Sequence, residues 1–301
     1  IKIKLYNQMR ENIAMHFVQA KGILSQNNGM NIYRGCSHGC IYCDSRSKCY
    51  GFTHAFEDIE VKENAPELLE QALRSKRHKC MIGTGAMCDP YLPAEKELQL
   101  TRKCLELIDR YEYGVTVLTK SNLVLRDLDL LQSIHKKTKA VVQMTLTTYD
   151  EDLCRKLEPN VSTTRERFEV LMRCKELGIP TLVWMTPILP FINDTRENIE
   201  GLLDYCLQAG VQGILVFDVG VTLREGDREY FYQALDRDFP GIRQKYISTY
   251  GNAYDIPSPY SKELIALIQN TCTANGILGS PKECFTYLHE FPERYVQQTL
   301  F

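Results

Sequence analysis

The chain has 301 residues, 44% of them hydrophobic and 10% aromatic, which is enough to bury the core of one barrel-sized domain with a tail, or of two small domains. With 36 Lys and Arg against 38 Asp and Glu, the formal charge is −2; no whole-surface field draws the protein to nucleic acid, so such binding is possible but not indicated by charge. No apolar run reaches the roughly 18 residues that span a bilayer, and the start, IKIKLYNQMRENIAMHF, lacks the apolar core of a secretory signal, which predicts a cytoplasmic protein with no membrane partner.

In chain order, residues 1–28 read as an N-terminal segment, and a first strand is predicted at 30–33. A loop containing RGCSHGCIYCD follows it. Further strands are predicted at 80–83, 114–119, 140–147, 181–187 and 213–218, separated by amphipathic helical patterns. Over 95–110, Leu98, Leu100, Leu105, Leu107 and Ile108 recur mostly at helical spacing. Asp194 or Thr195 can cap a helix over 196–209, and Gly178 closes the helix before it. Strands alternating with helices in this way indicate parallel βα units in an α/β protein. Six units are too few for a closed eight-stranded barrel but suffice for a partial one over 29–220, with its chemistry at the carboxyl ends of the strands. A doubly wound open sheet is the competing layout. Beyond residue 220 the pattern loosens into ISTYGNAYDIPSPYSKEL, followed by a helix over 261–271. Residues 221–301 therefore read as an appendage, a lid or a substrate-facing region.

Twelve cysteines in so large and periodic a chain point to a reducing compartment with free thiols rather than to a disulfide scaffold. Cys36, Cys40 and Cys43 are separated by three and then two residues, in a loop that Gly35 and Gly39 allow to curl. Three thiolates can hold three irons of a [4Fe-4S] cubane and leave the fourth without a protein ligand. That open iron can take the amino and carboxylate groups of S-adenosylmethionine (SAM), so that one electron from the cluster cleaves a C–S bond and yields a 5′-deoxyadenosyl radical. A zinc site would add His38 or Cys49 as fourth ligand, but zinc sites usually show two paired ligand groups and this loop is single. Cys80, Cys104, Cys174 and Cys206 lie in or beside apolar runs and read as core residues. Cys49 and Cys88 fall in loops expected on the reactive face.

The cysteine spacing, with Tyr42 before the last cysteine, resembles the radical SAM superfamily motif. In order along residues 16–218, NIYRGCSHGCIYC, GTGAMCDPYLPAEKELQLTR, VLTKSNLVLRDLDLL, TLTTYDEDLCRKLEP and PILPFIND resemble the spore photoproduct lyase-like (SplB-like) branch. The resemblance implies a partial (β/α)6 TIM-like barrel of the radical SAM type and a radical SAM enzyme that abstracts hydrogen from a substrate. It implies that Cys36, Cys40 and Cys43 ligate the cluster and that Tyr42 lies against the adenine of SAM. Main-chain groups of Gly83, Thr84 and Gly85 would receive the SAM amino group, Lys120 its carboxylate, and Thr145 a hydrogen bond; Thr147 shares the face of Thr145 and is an equal candidate. It further implies a flavodoxin- or ferredoxin-like electron donor.

Two departures limit the carry-over. Spore photoproduct lyase returns hydrogen from a cysteine near the end of its second strand, where this sequence has Ala86, with Cys88 two residues later. Cys88 is a candidate hydrogen donor or an inert thiol beside the SAM pocket. The region from Val221 onward matches no lesion-binding element, and its tyrosines read first as packed side chains with satisfied hydroxyls. A DNA-lesion lyase is the alternative reaction, and a non-catalytic zinc or iron–sulfur module the alternative class.

Overall fold

After the short strand β1 (Met15–Val18), the chain lays Gly29–Met30 (β2) along the first edge of a sheet and then crosses to a second one. Tyr33–Arg34 (β3) and Ile59–Lys62 (β4) pair there, with β1 on the far side of β4. The run predicted as one strand at 30–33 is thus shared between two sheets. The computed structural model describes residues 14–292; residues 1–13 and 293–301, parts of the N-terminal segment and of the appendage, lie outside the described residues.

The main sheet has six strands, all parallel, in the order β2, Met81–Thr84 (β5), Gly114–Thr119 (β6), Ala140–Thr145 (β7), Thr181–Trp184 (β8) and Gly213–Leu215 (β9). Neighbours in sequence are neighbours in space, as right-handed βα crossovers dictate. The helices between them are Ala65–Ser75 (α1), Glu95–Leu98 (α2), Leu100–Arg110 (α3), Leu128–Lys137 (α4), Glu151–Leu157 (α5), Thr164–Glu176 (α6) and Arg196–Ala209 (α7). Period-two alternation assigns each strand residue a side. On β7, Ala140, Val142 and Met144 join the large core under the helices, whereas Val141 joins a second, smaller core on the opposite face. Leu182 and Trp184 of β8 and Leu215 of β9 share that inner face with Val141.

One predicted helix is two. Gln99 has φ +51°, and the buried Glu95 carboxylate turns back to accept the backbone N–H groups of Leu100 (3.1 Å) and Thr101 (3.1 Å). A carboxylate at a helix start satisfies donors that have no helical partner and complements the dipole; it therefore starts α3 and ends α2 in one place. The opposite case is α7: Thr195 caps it, its side chain accepting from Asn198 N at 3.2 Å.

The region after residue 220 is more ordered than its composition suggests. Gly220–Thr222 (β10) and Asp255–Pro257 (β11) pair antiparallel, and between them run Asp227–Asp238 (α8) and Ile242–Tyr250 (α9). Ser261–Asn275 (α10) packs beside α7, and Leu278 bridges to the outer edge of β9. Pro281–His289 (α11) places Cys284 and Leu288 against Val141, Leu182 and Leu215, filling the inside of the partial barrel at one end. A Cβ on Gly213 would sit 3.0 Å from Cys284 Sγ, so that glycine is what lets α11 seat. No helix among the described residues is long and apolar enough to cross a membrane.

Candidate active site

At the end of the barrel opposite α11, the strand ends open on a cavity of 790 Å³, within the usual range of small-molecule sites. Cys36, Cys40 and Cys43 line it together with Tyr42, Gly85, Cys88, Lys120 and Thr145. Of the predicted positions, Gly83 and Thr84 are not on its wall. They sit within β5, paired to Thr116 and Val117 of β6, and carry Gly85 to the rim. Thr145 ends the inner face of β7, whereas Thr147 is buried beyond the strand end, its carbonyl accepting from Asn193 and Asn198; of the two, only Thr145 reaches the cavity.

The cysteine loop is held from both sides. Cys36 N donates to Phe56 O at 2.9 Å and Ile41 N to Leu157 O at 3.0 Å. Asn160 N donates to His38 O at 3.1 Å. Gly35 (φ +87°) could not be another residue, since a Cβ there would lie 2.6 Å from Phe56 O. At Gly85 (φ +99°) a Cβ would lie 1.9 Å from Leu118 O. Both glycines permit backbone approaches that position the wall.

Two buried carboxylates tie the loop to the strand ends. Asp89 accepts from Thr119 Oγ1 (2.7 Å), Lys120 N (2.8 Å) and Tyr91 N (2.8 Å), and His38 Nδ1 lies 3.6 Å from it. Burial pushes the His38 pKa down despite Asp89, so this imidazole is neutral. Glu158 accepts from Tyr42 Oη and from the Arg167 guanidinium, with Lys120 Nζ 3.4 Å away. Burial works to raise its pKa, but the Arg167 charge and then Lys120 overcome it and hold it at about 2. Arg167, fully buried, also donates to Thr145 O (2.9 Å) and Ser162 O (2.8 Å). Lys120 Nζ donates to Tyr42 Oη at 3.2 Å. The positions expected to touch SAM, Tyr42, Lys120 and Thr145, thus hang from one ion cluster. Sequence reasoning missed Glu158 and Arg167. Glu158 lay inside the matching block TLTTYDEDLCRKLEP, but a motif gives no sign of which of its charges is buried.

Glu95, Thr101, Arg102 and Arg126 form a separate brace below the rim. Arg126 bonds Glu95 at 2.9 Å, and Arg102 bonds Asp127 at 2.9 Å and Asp129 at 2.8 Å, ion pairs that tie these loops together.

The donor set fits an iron–sulfur cluster better than one ion. Ligands at 2.3 Å around a single tetrahedral zinc sit about 3.8 Å apart, whereas the three thiols do not all lie within 4.8 Å of one another. Cys49 is exposed, away from the cavity, 3.4 Å from the Arg224 guanidinium. Burial raises the pKa of Cys36, Cys40 and Cys43, so their thiolates need a cationic partner in place. Cys88 is buried, and its thiol donates to Gly35 O at 2.8 Å.

Comparison with known proteins places this geometry. The family model described as the radical SAM superfamily matches residues 30–206. An uncharacterized protein of Mycobacterium tuberculosis (strain ATCC 25618 / H37Rv) is 29% identical over 248 residues, 78% of this chain and 70% of its own. An uncharacterized protein of Methanocaldococcus jannaschii is 34% identical over 169 residues, 56% of this chain and 62% of its own. Among solved structures, spore photoproduct lyase complexed with dinucleoside spore photoproduct superposes with a TM-score of 0.62 at 13% identity, covering 88% of this chain and 80% of that one. At that identity the likeness establishes the fold, a radical SAM barrel with a six-stranded parallel sheet.

Proposed function

The chain belongs to the radical SAM superfamily of enzymes, and we propose that it holds a [4Fe-4S] cluster on Cys36, Cys40 and Cys43, binds SAM in the adjoining cavity, and abstracts hydrogen from a substrate at the cavity mouth. The observation that carries this reading is the convergence of the three thiols and Lys120 on one cavity at the carboxyl ends of the strands. When bound, the cluster and SAM supply a 5′-deoxyadenosyl radical.

The chain's own residues do the rest. Gly85 offers main-chain groups at the rim to the SAM amino group, with Gly83 and Thr84 fixing its position. Lys120 meets the carboxylate of SAM with a charge-assisted hydrogen bond. Tyr42 lies against the adenine, held by Glu158, and its phenol stays protonated because burial raises its pKa. Thr145 donates or accepts one hydrogen bond from the floor. Cys88 is the candidate hydrogen donor to the substrate radical; burial raises its pKa well above the usual thiol value, which keeps the S–H that such a step needs. The strap β10–β11 contributes Val221 and Ile256 to the wall, and we assign the region after residue 220 the role of substrate cover. A flavodoxin- or ferredoxin-like protein would supply the electron.

The alternative reaction, repair of a DNA lesion, is less well supported by the walls. Asp44, Asp218 and Asp255 line the cavity with Lys120 as its lysine, and although Asp44 is paired with Arg224 at 3.2 Å, this rim offers a phosphodiester backbone little positive charge. Preference for damaged over intact DNA would revive that reading.

Anaerobic reconstitution followed by dithionite and SAM tests the proposal. Brown protein with about four irons per chain that forms 5′-deoxyadenosine is expected, and Cys40→Ala should lose both colour and cleavage. Colourless protein carrying a zinc that Cys40→Ala removes would refute it.

A further inference from the structure

Away from the cavity, the side sheet gathers donors that the proposed chemistry does not use. Strands β1 and β4 run parallel with His16 beside Glu60, and the turn before β4 brings His54 to the same place. The two imidazole centroids are 4.7 Å apart. One donor atom from each of His16, His54 and Glu60 lies within 4.8 Å of the other two.

The ring nitrogens are placed as a metal needs. His54 Nδ1 sits 2.9 Å from the carbonyl of Ala55, a contact that an N–H makes, and in the neutral ring this leaves the lone pair on Nε2. That Nε2 is buried without a hydrogen bond and stands 4.0 Å from Glu60 Oε2. His16 Nδ1 is also buried without a hydrogen bond. Asp58 Oδ1 is 3.1 Å from it, close enough to attract but out of line for proton sharing. Two buried ring nitrogens left unsatisfied beside two carboxylates are costly unless another group completes them.

We propose that His16, His54 and Glu60 bind one divalent transition-metal ion of the zinc type. Two imidazoles and a carboxylate suit zinc, with water in the fourth position. Ligands at zinc bond lengths sit about 3.3 Å apart, so the 4.0 Å gap between His54 and Glu60 closes with a small side-chain rotation. The ion is a structural clamp. It joins β1 to the turn that gives the Phe56 carbonyl to Cys36 N at 2.9 Å and the Phe56 ring to the Arg46 guanidinium at 4.5 Å, bracing the cysteine loop from outside.

Calorimetric titration of Zn2+ into the iron-loaded protein, whose cavity thiols iron already engages, tests the site. One saturable equivalent is expected, together with a higher unfolding midpoint. His54→Ala and Glu60→Gln should each weaken binding by about 100-fold or more, with iron content unchanged. The triple variant Cys36→Ala, Cys40→Ala, Cys43→Ala should retain the same equivalent. Absence of a saturable equivalent, or zinc affinity unchanged in Glu60→Gln, would overturn the assignment. If His54→Ala fails to fold, the nearly isosteric Glu60→Gln decides between the two outcomes by itself.

Discussion

Where the cavity wall built by the loops after β3, β5 and β6 is fixed by buried ions, the facing wall built by the ends of β8 and β9 and by β10–β11 sets aromatic and aliphatic side chains beside Asp218 and Asp255 and is partly open. On the first, Asp89 and Glu158 together engage His38, Tyr42, Thr119, Lys120 and Arg167. On the second, Trp184 stacks edge-on to Phe217 at 6.0 Å, and Phe217 remains 56% exposed. A group that must hold the same cofactor at every turnover calls for preorganised dipoles and charges, whereas an exposed aromatic can accept ligands of varied outline. Under the proposed function, the contrast gives cofactor binding to one wall and substrate selection to the other.

Glu158→Gln should break the first wall with the largest effect. It leaves the Arg167 charge buried and unpaired, a change that costs about 3–5 kcal/mol, and it removes the carboxylate that orients Tyr42. Chemical denaturation would measure the loss; a change below about 0.5 kcal/mol would show that the cluster does not hold the wall. The same group predicts a pH dependence. Because the folded pKa of Glu158 is held at about 2, below the ordinary carboxylate value, its contribution is fully present above the unfolded pKa and is lost as pH falls through about 2. The stability gap between wild type and Glu158→Gln should therefore narrow below about pH 4.3.

Phe217→Ala should do the reverse. Stability should change by less than about 0.5 kcal/mol, as for other exposed positions, and 5′-deoxyadenosine formation without substrate should be unaffected. Once a substrate is found by deuterium transfer to deoxyadenosine, its KM should rise by about 10-fold, equal to about 1.4 kcal/mol of lost contact. Equal damage to SAM cleavage would erase the division between walls. Cys88→Ala should have the smallest effect on cofactor chemistry: iron content and deoxyadenosine yield are expected to hold, with only hydrogen return to product changed. Loss of iron in that variant would move Cys88 from the substrate to the cluster.

The first wall was readable in the sequence because its elements are local. Three cysteines within eight residues declare themselves through spacing, whereas Gly85, Lys120 and Thr145 were singled out by the family resemblance of the blocks that contain them. Five of the six strands of the main sheet were legible from their periodicity, whereas the run read as one strand at 30–33 is divided between β2 and β3. Glu158 and Arg167 were not, since burial of an ion pair depends on what the fold lays over it. Nor were α8 and α9, whose weakly periodic sequence is folded by packing of Phe231 and Tyr246 against Val221 and Leu223 rather than by propensity. Gly213 carries no helical or strand signal for the helix it admits, because its contact with Cys284 joins residues far apart in the chain.

The division of walls rests on one claim, that the three thiols leave an iron open for SAM beside Lys120. Electron paramagnetic resonance of the dithionite-reduced protein, recorded with and without SAM, addresses it directly. A reduced-cluster signal that SAM shifts in the wild type, and shifts only at much higher SAM concentration in Lys120→Ala, is the predicted result. A cluster signal indifferent to SAM, or no cluster signal in protein that carries zinc at the cysteines, would contradict it.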